Sequence, residues 1–449
     1  MSKCPKISIL GGGPAGIAIA YYARSNDIDF ELFEAAERFG GNCVTFQNGD
    51  FRFDSGAHRL HAKDEDTIEI VKSLLGDDLS LINVPSQIFR DNQYIDFPLS
   101  PLNIAKFLGP KRVAISAKEL AVQMFMKKKS PENFQELAIK RYGNTIAKLF
   151  LLDYTAKLWG KKSAELSLDV AGKRLKGLTL KTFIIESIWG QKRKTNHLDG
   201  SFYYPKYGIG SIFDSMIDYC GLAQCHKDSR ITKIFHNQKN IQAIEVNEAK
   251  PTKVDQVVSS LPLGIFLKLL HPKPPQKIIT IASKINFRNL VLVAFFLKKK
   301  CVNNNGSMYF PENKYPFTRI YEPRNRSEHM SPEGCTSLIV EIPCQAQDKW
   351  WSMGKEELTS EIQIQLTTIG FFNEGDVVNS QVEYINHAYP ILETGYKDDI
   401  QYLSNYLEGF ENLTFTGRNG LFAYTHIHDH MINARKIIDQ MKVNDRSFH

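Results

Sequence analysis

Read for apolar and polar positions alone, the chain opens on a short apolar run, Ile7-Ser8-Ile9-Leu10. A helical stretch, Ile17 to Ser25, and a second β-like run, Phe30-Glu31-Leu32-Phe33, follow. The order predicts strand, helix, strand. Residues 88 to 97 surround a polar turn, Arg90-Asp91-Asn92-Gln93, and read as a hairpin. From about 100 to 195 the apolar positions recur at helical spacing. Strand-like runs return at 231–235, 241–246 and 257–261, then at 286–298, 337–342 and 380–385. Residues 412 to 440 read as strand, loop and helix, the helix starting near Asp429. The longest apolar stretch, Leu290 to Leu297, suits a buried strand. It is far short of the ~18 residues a membrane span needs, so no transmembrane helix is expected. We find no internal repeat and no low-complexity segment.

The sharpest chemistry sits between the first strand and helix. Gly11-Gly12-Gly13-Pro14-Ala15-Gly16 joins them, and the second strand ends at Glu34. In such a Gly-x-Gly-x-x-Gly turn Gly11 permits the tight turn, Gly13 lets backbone approach a pyrophosphate, and Gly16 lets the helix pack against the strand. The helix N-terminus offers free N–H groups to phosphate. Glu34 lies where an acid binds ribose hydroxyls. A lone glycine turn is weak evidence, but here the flanking elements and the acid agree. Arg38, Gly40, Gly41 and Asn42 follow as Glu-x-x-x-Arg-x-Gly-Gly-Asn. An arginine there can reach a diphosphate, and paired glycines let backbone lie against a flat ring system.

Composition changes the picture little. The 449 residues are 43% apolar and 23% charged, ample for a globular core. The length suggests about three domains. The seven cysteines, Cys4, Cys43, Cys220, Cys225, Cys301, Cys335 and Cys344, contain no Cys-x-x-Cys. They read as reduced thiols, and with no signal-peptide layout at Met1–Pro5 the expectation is a cytoplasmic protein. The formal charge of +7 gathers in runs such as Lys127-Lys128-Lys129 and Lys192-Arg193-Lys194. These read first as solvated surface, second as attraction for a polyanionic substrate or peripheral contact with an anionic membrane. Nothing resembles a nucleic-acid-binding motif.

With the Arg-x-Gly-Gly stretch, the sequence resembles the amine-oxidase-like flavoprotein superfamily, whose cofactor is FAD. Further motifs narrow the likeness: Gly56-Ala57-His58, Tyr154 to Gly160, Pro316 to Glu322, and Gly417-Arg418-Asn419-Gly420 with Tyr424 and Asp429. They resemble the group of UDP-galactopyranose mutases and bacterial protoporphyrinogen-oxidase-like flavoproteins. Tyr321-Glu322-Pro323-Arg324-Asn325 and Arg174-Leu175-Lys176-Gly177-Leu178 lean toward the latter. The implied fold is α/β: a Rossmann-like FAD-binding domain of the glutathione-reductase type, an inserted helical region, and a substrate domain with a mixed or antiparallel sheet. The expected segments are 1–85, 201–265 and 391–449 for FAD, 86–200 for a hairpin and helical cap, and 266–390 for the substrate sheet.

The resemblance implies cofactor contacts from Gly11, Gly13, Pro14, Ala15, Gly16, Glu34, Arg38, Gly40, Gly41, Asn42, His58, Arg59, Ile231, Gly417, Arg418 and Asp429. It places His58 beside flavin N5 and makes Arg174 and Arg319 a clamp on a substrate diphosphate, a task suited to guanidinium forks. Those three are the candidate catalytic residues, with flavin N5 as the reactive atom. Tyr154, Trp159, Tyr389 and Tyr424 would line the sugar or base pocket. Taken singly, each has a bland alternative: a surface or ion-paired arginine, a loop histidine, a core aromatic. His426, His428 and His430 with Asp429 suggest metal ligands, but the flavin reading already uses that loop, and no metal is expected. The expected substrate is a nucleotide sugar undergoing mutase-like isomerisation or flavin redox, with NAD(P)H as a candidate reductant. An oxidase or dehydrogenase of a non-sugar substrate, such as a porphyrinogen or an amine, and a non-catalytic flavoprotein are the alternatives.

Overall fold

The computed structural model describes residues 5–125, 130–175 and 201–446. Its first layer is a five-stranded parallel sheet. Ile7–Leu10 lies at the centre, with Phe30–Phe33 and Cys225–His226 on one side and Gln256–Ser259 and Leu413–Phe415 on the other. Ile7 faces Phe30 and Gln256 in register, and all four residues of the central strand are buried, as expected of a parallel strand covered on both faces. The helix Pro14–Ser25 packs between Gly210–Cys220 and Ile427–Arg446. Its buried Ala15, Ala18, Ala20 and Ala23 keep the interhelical distances short. Three separated chain regions therefore build one sheet.

The second layer is a seven-stranded mixed sheet, ordered Val377–Pro390, Phe287–Leu297, Thr336–Cys344, Arg319–Tyr321, Ser307–Tyr309, Ser86–Arg90 and Gln93–Phe97. Period-two alternation along Phe287–Leu297 feeds two cores. Val291, Val293, Phe295 and Leu297 pack with Leu358, Ile362 and Leu366 of the helix Lys355–Ile369. Leu290, Leu292, Ala294 and Phe296 pack with Phe46 and Phe53 of the hairpin Thr45–Asn48/Phe51–Asp54. That second face joins the two layers.

The hairpin at 86–97 turns at Asp91 and Asn92, both left-handed with φ of 52° and 56°. It joins the mixed sheet through parallel pairing of Ser86–Ile88 with Ser307–Tyr309. The helical region that follows is broken where Gly109 and Gly143 take φ of 68° and 76°, inside Pro101–Phe125 and Phe134–Ala147. One π-turn, Lys148–Leu152, then leads into Asp153–Trp159. Ile231–His236 and Ile241–Val246 were expected to mark a return to the nucleotide domain. They form a four-stranded sheet with Thr252–Lys253 and Leu270–His271 that shares a core with Leu10 and Val257 of the parallel sheet, which Gln256–Ser259 itself joins. Among the described residues no helix is long and apolar enough to cross a membrane. The runs Lys127–Lys129 and Lys192–Lys194 lie outside the described residues.

Candidate active site

The glycine turn carries three different demands. A Cβ on Gly16 would sit 1.9 Å from the Gly11 carbonyl oxygen, so only glycine lets the helix close on the strand. Gly11 has φ of 101°. A Cβ on Gly13 would meet only the Gly41 Cα, at 3.9 Å, so nothing in the protein requires glycine there. That is the pattern of a backbone left bare for a ligand. The helix behind it has no side-chain cap and no acid in its first turn. Glu34 anchors the turn: its carboxylate accepts the Gly12 N–H at 2.7 Å and the Ala36 N–H at 2.8 Å. Gly40 and Gly41, at φ of 105° and 51°, fold back so that the Gly40 N–H donates to the Gly12 carbonyl at 2.8 Å. Arg38 lies over the Phe46 ring at 4.2 Å, and Asn42 Nδ2 donates to the carbonyls of Asn386 and His387 at 3.2 and 3.3 Å.

The C-terminal motif closes on the same place. A Cβ on Gly417, at φ of 81°, would meet Ala15 Cβ at 3.1 Å. Arg418 donates to the carbonyls of Ala388 and Thr425 at 3.0 and 2.6 Å and lies over the rings of Tyr389 and Tyr424. Asp429 accepts the His426 N–H at 2.9 Å and caps the last helix, which starts at Ile427. His426 and His428 stack with ring centroids 5.6 Å apart.

Beyond this turn lies a second cluster. Arg319 is half-buried and makes a two-pronged pair with Glu341, Nε to Oε2 at 2.8 Å and Nη2 to Oε1 at 2.7 Å. Glu341 Oε1 also accepts the Ala57 N–H at 2.9 Å, tying the pair to the His58 loop. Tyr309 is register-paired with Arg319 and packs edge-on against Tyr154, centroids 6.0 Å apart. Trp159 contacts Tyr389 and Tyr424, each at 6.0 Å. The loop itself hangs on a buried network. Asp54 accepts Thr45 Oγ1 at 2.7 Å, the Ile209 N–H at 2.9 Å and Tyr204 OH at 2.6 Å. Burial raises the Asp54 pKa, and those hydrogen bonds oppose the shift. Arg326 donates to the His58 carbonyl at 2.9 Å.

A family model described as flavin-containing amine oxidoreductase matches residues 14–426 of this chain. The chain belongs to the flavin-containing amine oxidoreductase family. Among solved structures it is similar to a reduced UDP-galactopyranose mutase, with a TM-score of 0.84 and 18% identity over 97% of this chain and 95% of that one. It is also similar to a putative protoporphyrinogen oxidase from Exiguobacterium, with a TM-score of 0.76 and 17% identity over 99% of both chains. At these identities the likeness shows the fold: a parallel Rossmann-like sheet with a mixed substrate-domain sheet. In sequence it is similar to an Escherichia coli dTDP-fucopyranose mutase, 24% identical over 187 residues, or 38% of this chain. The match spans 45% of that enzyme's length.

The residues present suit the family's flavin. In the His58 loop and the C-terminal motif, His58 Nδ1, Thr416 Oγ1, Asn419 Oδ1 and His430 Nδ1 are sealed from solvent and have no hydrogen-bond partner among the described residues. Unpaired buried groups are costly unless a ligand satisfies them. His58 as a whole is only half-buried; its Nδ1 edge is the sealed part. Burial, then the charges of Arg418, Arg319 and Arg326, push its pKa down to about 3, so the ring is neutral.

Of the expected residues, Gly11, Gly13, Pro14, Ala15, Gly16, Glu34, Gly40, Gly41 and Gly417 meet at one turn, while Tyr154, Trp159, Tyr389, Tyr424 and Arg319 meet in the second cluster. Arg59 donates to Ser86 Oγ at 3.1 Å, and Ile231 is a buried strand residue in a hydrophobic core. Arg174 falls in the helical turn Leu168–Leu175, and its side chain lies outside the described residues. Sequence reading missed Glu341, Tyr309, Asp54 and Arg326. Asp54 lies two residues before the Gly56-Ala57-His58 motif and Arg326 directly follows Tyr321-Glu322-Pro323-Arg324-Asn325, the nearest either came to a signal.

Proposed function

We propose that this chain is an FAD-dependent enzyme acting on a nucleotide-activated, or otherwise diphosphate-linked, sugar. The observation that carries the reading is the cluster of Arg319, Tyr154, Trp159, Tyr389 and Tyr424, tied to the His58 loop through Glu341. These residues come from four separate stretches of chain. The likeness to two sugar mutases supports it. Bound against this loop, FAD supplies N5, which in the reduced form can attack an anomeric carbon and in the oxidised form can take a hydride.

The chain's own residues hold and orient. Arg319 keeps Nη1 clear of the Glu341 pair and offers it to a phosphate oxygen. Three guanidiniums, Arg319, Arg326 and Arg418, act on His58; Glu341 pairs with the first and buried Asp54 interacts with the second, so Arg418 and the free edge of Arg319 favour an anion. The tyrosines and Trp159 give flat faces to sugar or base. Neutral His58 can share a hydrogen bond at the flavin edge without carrying charge there. NAD(P)H is the proposed reductant.

Titration with UDP- and dTDP-sugars tests the reading through the flavin absorbance. We expect a saturable perturbation, turnover only after dithionite reduction, and loss of nucleotide affinity in Arg319→Lys, which keeps the charge and removes the fork. Absence of any response to a nucleotide diphosphate would sink it. Family membership itself favours a second reading, oxidation of a non-sugar substrate, and steady oxygen consumption with an amine or tetrapyrrole would establish that instead.

A further inference from the structure

Glu341 bonds both Arg319 of the second cluster and the loop that carries His58. It is 2% exposed, sits mid-strand in Thr336–Cys344, and spends Oε1 twice, on Arg319 Nη2 at 2.7 Å and on the Ala57 N–H at 2.9 Å. Ala57 precedes His58, whose Nδ1 is sealed and unpaired among the described residues. A buried carboxylate oxygen shared by two donors binds each according to the pull of the other. Anything that draws on the Arg319 charge therefore changes the grip on the Ala57 N–H. We infer that Glu341 is a positioning residue that couples anion binding at Arg319 to the placement of the His58 loop. The inference rests on the proposed flavin site and deepens it, because it names the link by which an anionic substrate is sensed at the cofactor edge.

The alternative is that Arg319 and Glu341 act on the flavin only as separate charges. Separate Coulomb effects add; effects transmitted through a shared atom do not. The test is a double-mutant cycle of Arg319→Lys and Glu341→Gln on the flavin-loaded, substrate-free protein, read as the flavin midpoint potential. We expect each single variant to shift the potential and the double variant to shift it no further than Glu341→Gln alone. Additive shifts would overturn the coupling. Should Glu341→Gln fail to fold, Glu341→Asp serves in the same cycle. Its carboxylate is one methylene short of holding both donors, and the same non-additivity is expected. A UDP titration on the same proteins separates this inference from the substrate reading. In the wild type, UDP affinity should differ about 5–150-fold between oxidised and reduced forms, a typical coupling, and the ratio should fall toward one in Glu341→Gln. A ratio that persists in the variant counts against the link. A wild type that ignores UDP counts against the sugar reading, while the potential cycle still decides the role of Glu341.

Discussion

At the residue scale, Gly13 and Gly16 separate ligand demand from packing demand. Gly16→Ala forces a Cβ into the Gly11 carbonyl, and we expect loss of soluble, folded protein. Gly13→Ala has room, so the protein should fold with near-normal stability and bind FAD poorly. Flavin content after reconstitution and the urea midpoint decide between them; a Gly13→Ala protein that takes up full flavin contradicts the site. The histidines make a second prediction. His58 and His430 are both pushed down to about 3 from 6.5, chiefly by burial, with Arg418 adding to each. Their folded pKa lies below the unfolded one, so unfolding takes up protons between those values. The stabilisation is complete above pH 6.5 and is lost as pH falls toward 3, with a slope of about 1.4 kcal/mol per pH unit for each histidine. His58→Ala or His430→Ala should each lower the proton stoichiometry of unfolding by about one near pH 5, measured as the change in slope relative to wild type. An unchanged slope refutes the neutral assignment. The glycine turn was readable because its meaning lies in local spacing. Glu341, 284 residues from Ala57, carries no local signal at all.

At the element scale, the strand expected at 380–385 runs in fact over Val377–Pro390. Of its added residues, Asn379 pairs with Phe296 of the largely buried neighbour Phe287–Leu297, while Asn386 and His387 fall in a bulge between the Leu290–Ile385 and Arg288–Tyr389 pairs, where the His387 N–H donates to Asn289 Oδ1. Pairing, which the sequence pattern does not display, overrode propensity. The helix Asp153–Trp159 was noticed for Tyr154 and Trp159, but its Lys157 does something separate. Its Nζ donates to the carbonyls of Phe310, Glu312, Tyr315 and Phe317 and so clips the loop before Arg319 to the cap. Lys157→Met should free that loop at a cost of about 1–3 kcal/mol, the range for leaving buried acceptors unpaired. Amide exchange should rise across residues 310–318 and stay unchanged in the parallel sheet. Uniform exchange across both would show that Lys157 supports the fold generally and does not clip one loop.

At the scale of the whole molecule, the proposed cofactor site is where distant chain regions meet. Ile7–Leu10 brings the glycine turn, Gln256–Ser259 brings Ser260 against Gly11, and Leu413–Phe415 brings Gly417 onto Ala15. A ligand spanning that junction binds the folded state and not the unfolded chain, so it stabilises by mass action, about 2.7 kcal/mol at a free concentration 100 times its Kd. Removing flavin and restoring it should lower and then recover the unfolding midpoint in step with colour. The expected gain scales with the logarithm of FAD concentration, whereas riboflavin, which lacks the diphosphate that the helix at Pro14 is placed to receive, should give much less. The C-terminal contribution can be read separately. Limited proteolysis of the flavin-free protein should open first at residues 416–430, where Thr416 Oγ1, Asn419 Oδ1 and His430 Nδ1 are unpaired among the described residues, and FAD should protect that segment. Protection confined to the N-terminal turn, with cleavage at 416–430 indifferent to FAD, would mean that the C-terminal segment packs against the nucleotide fold without taking part in binding.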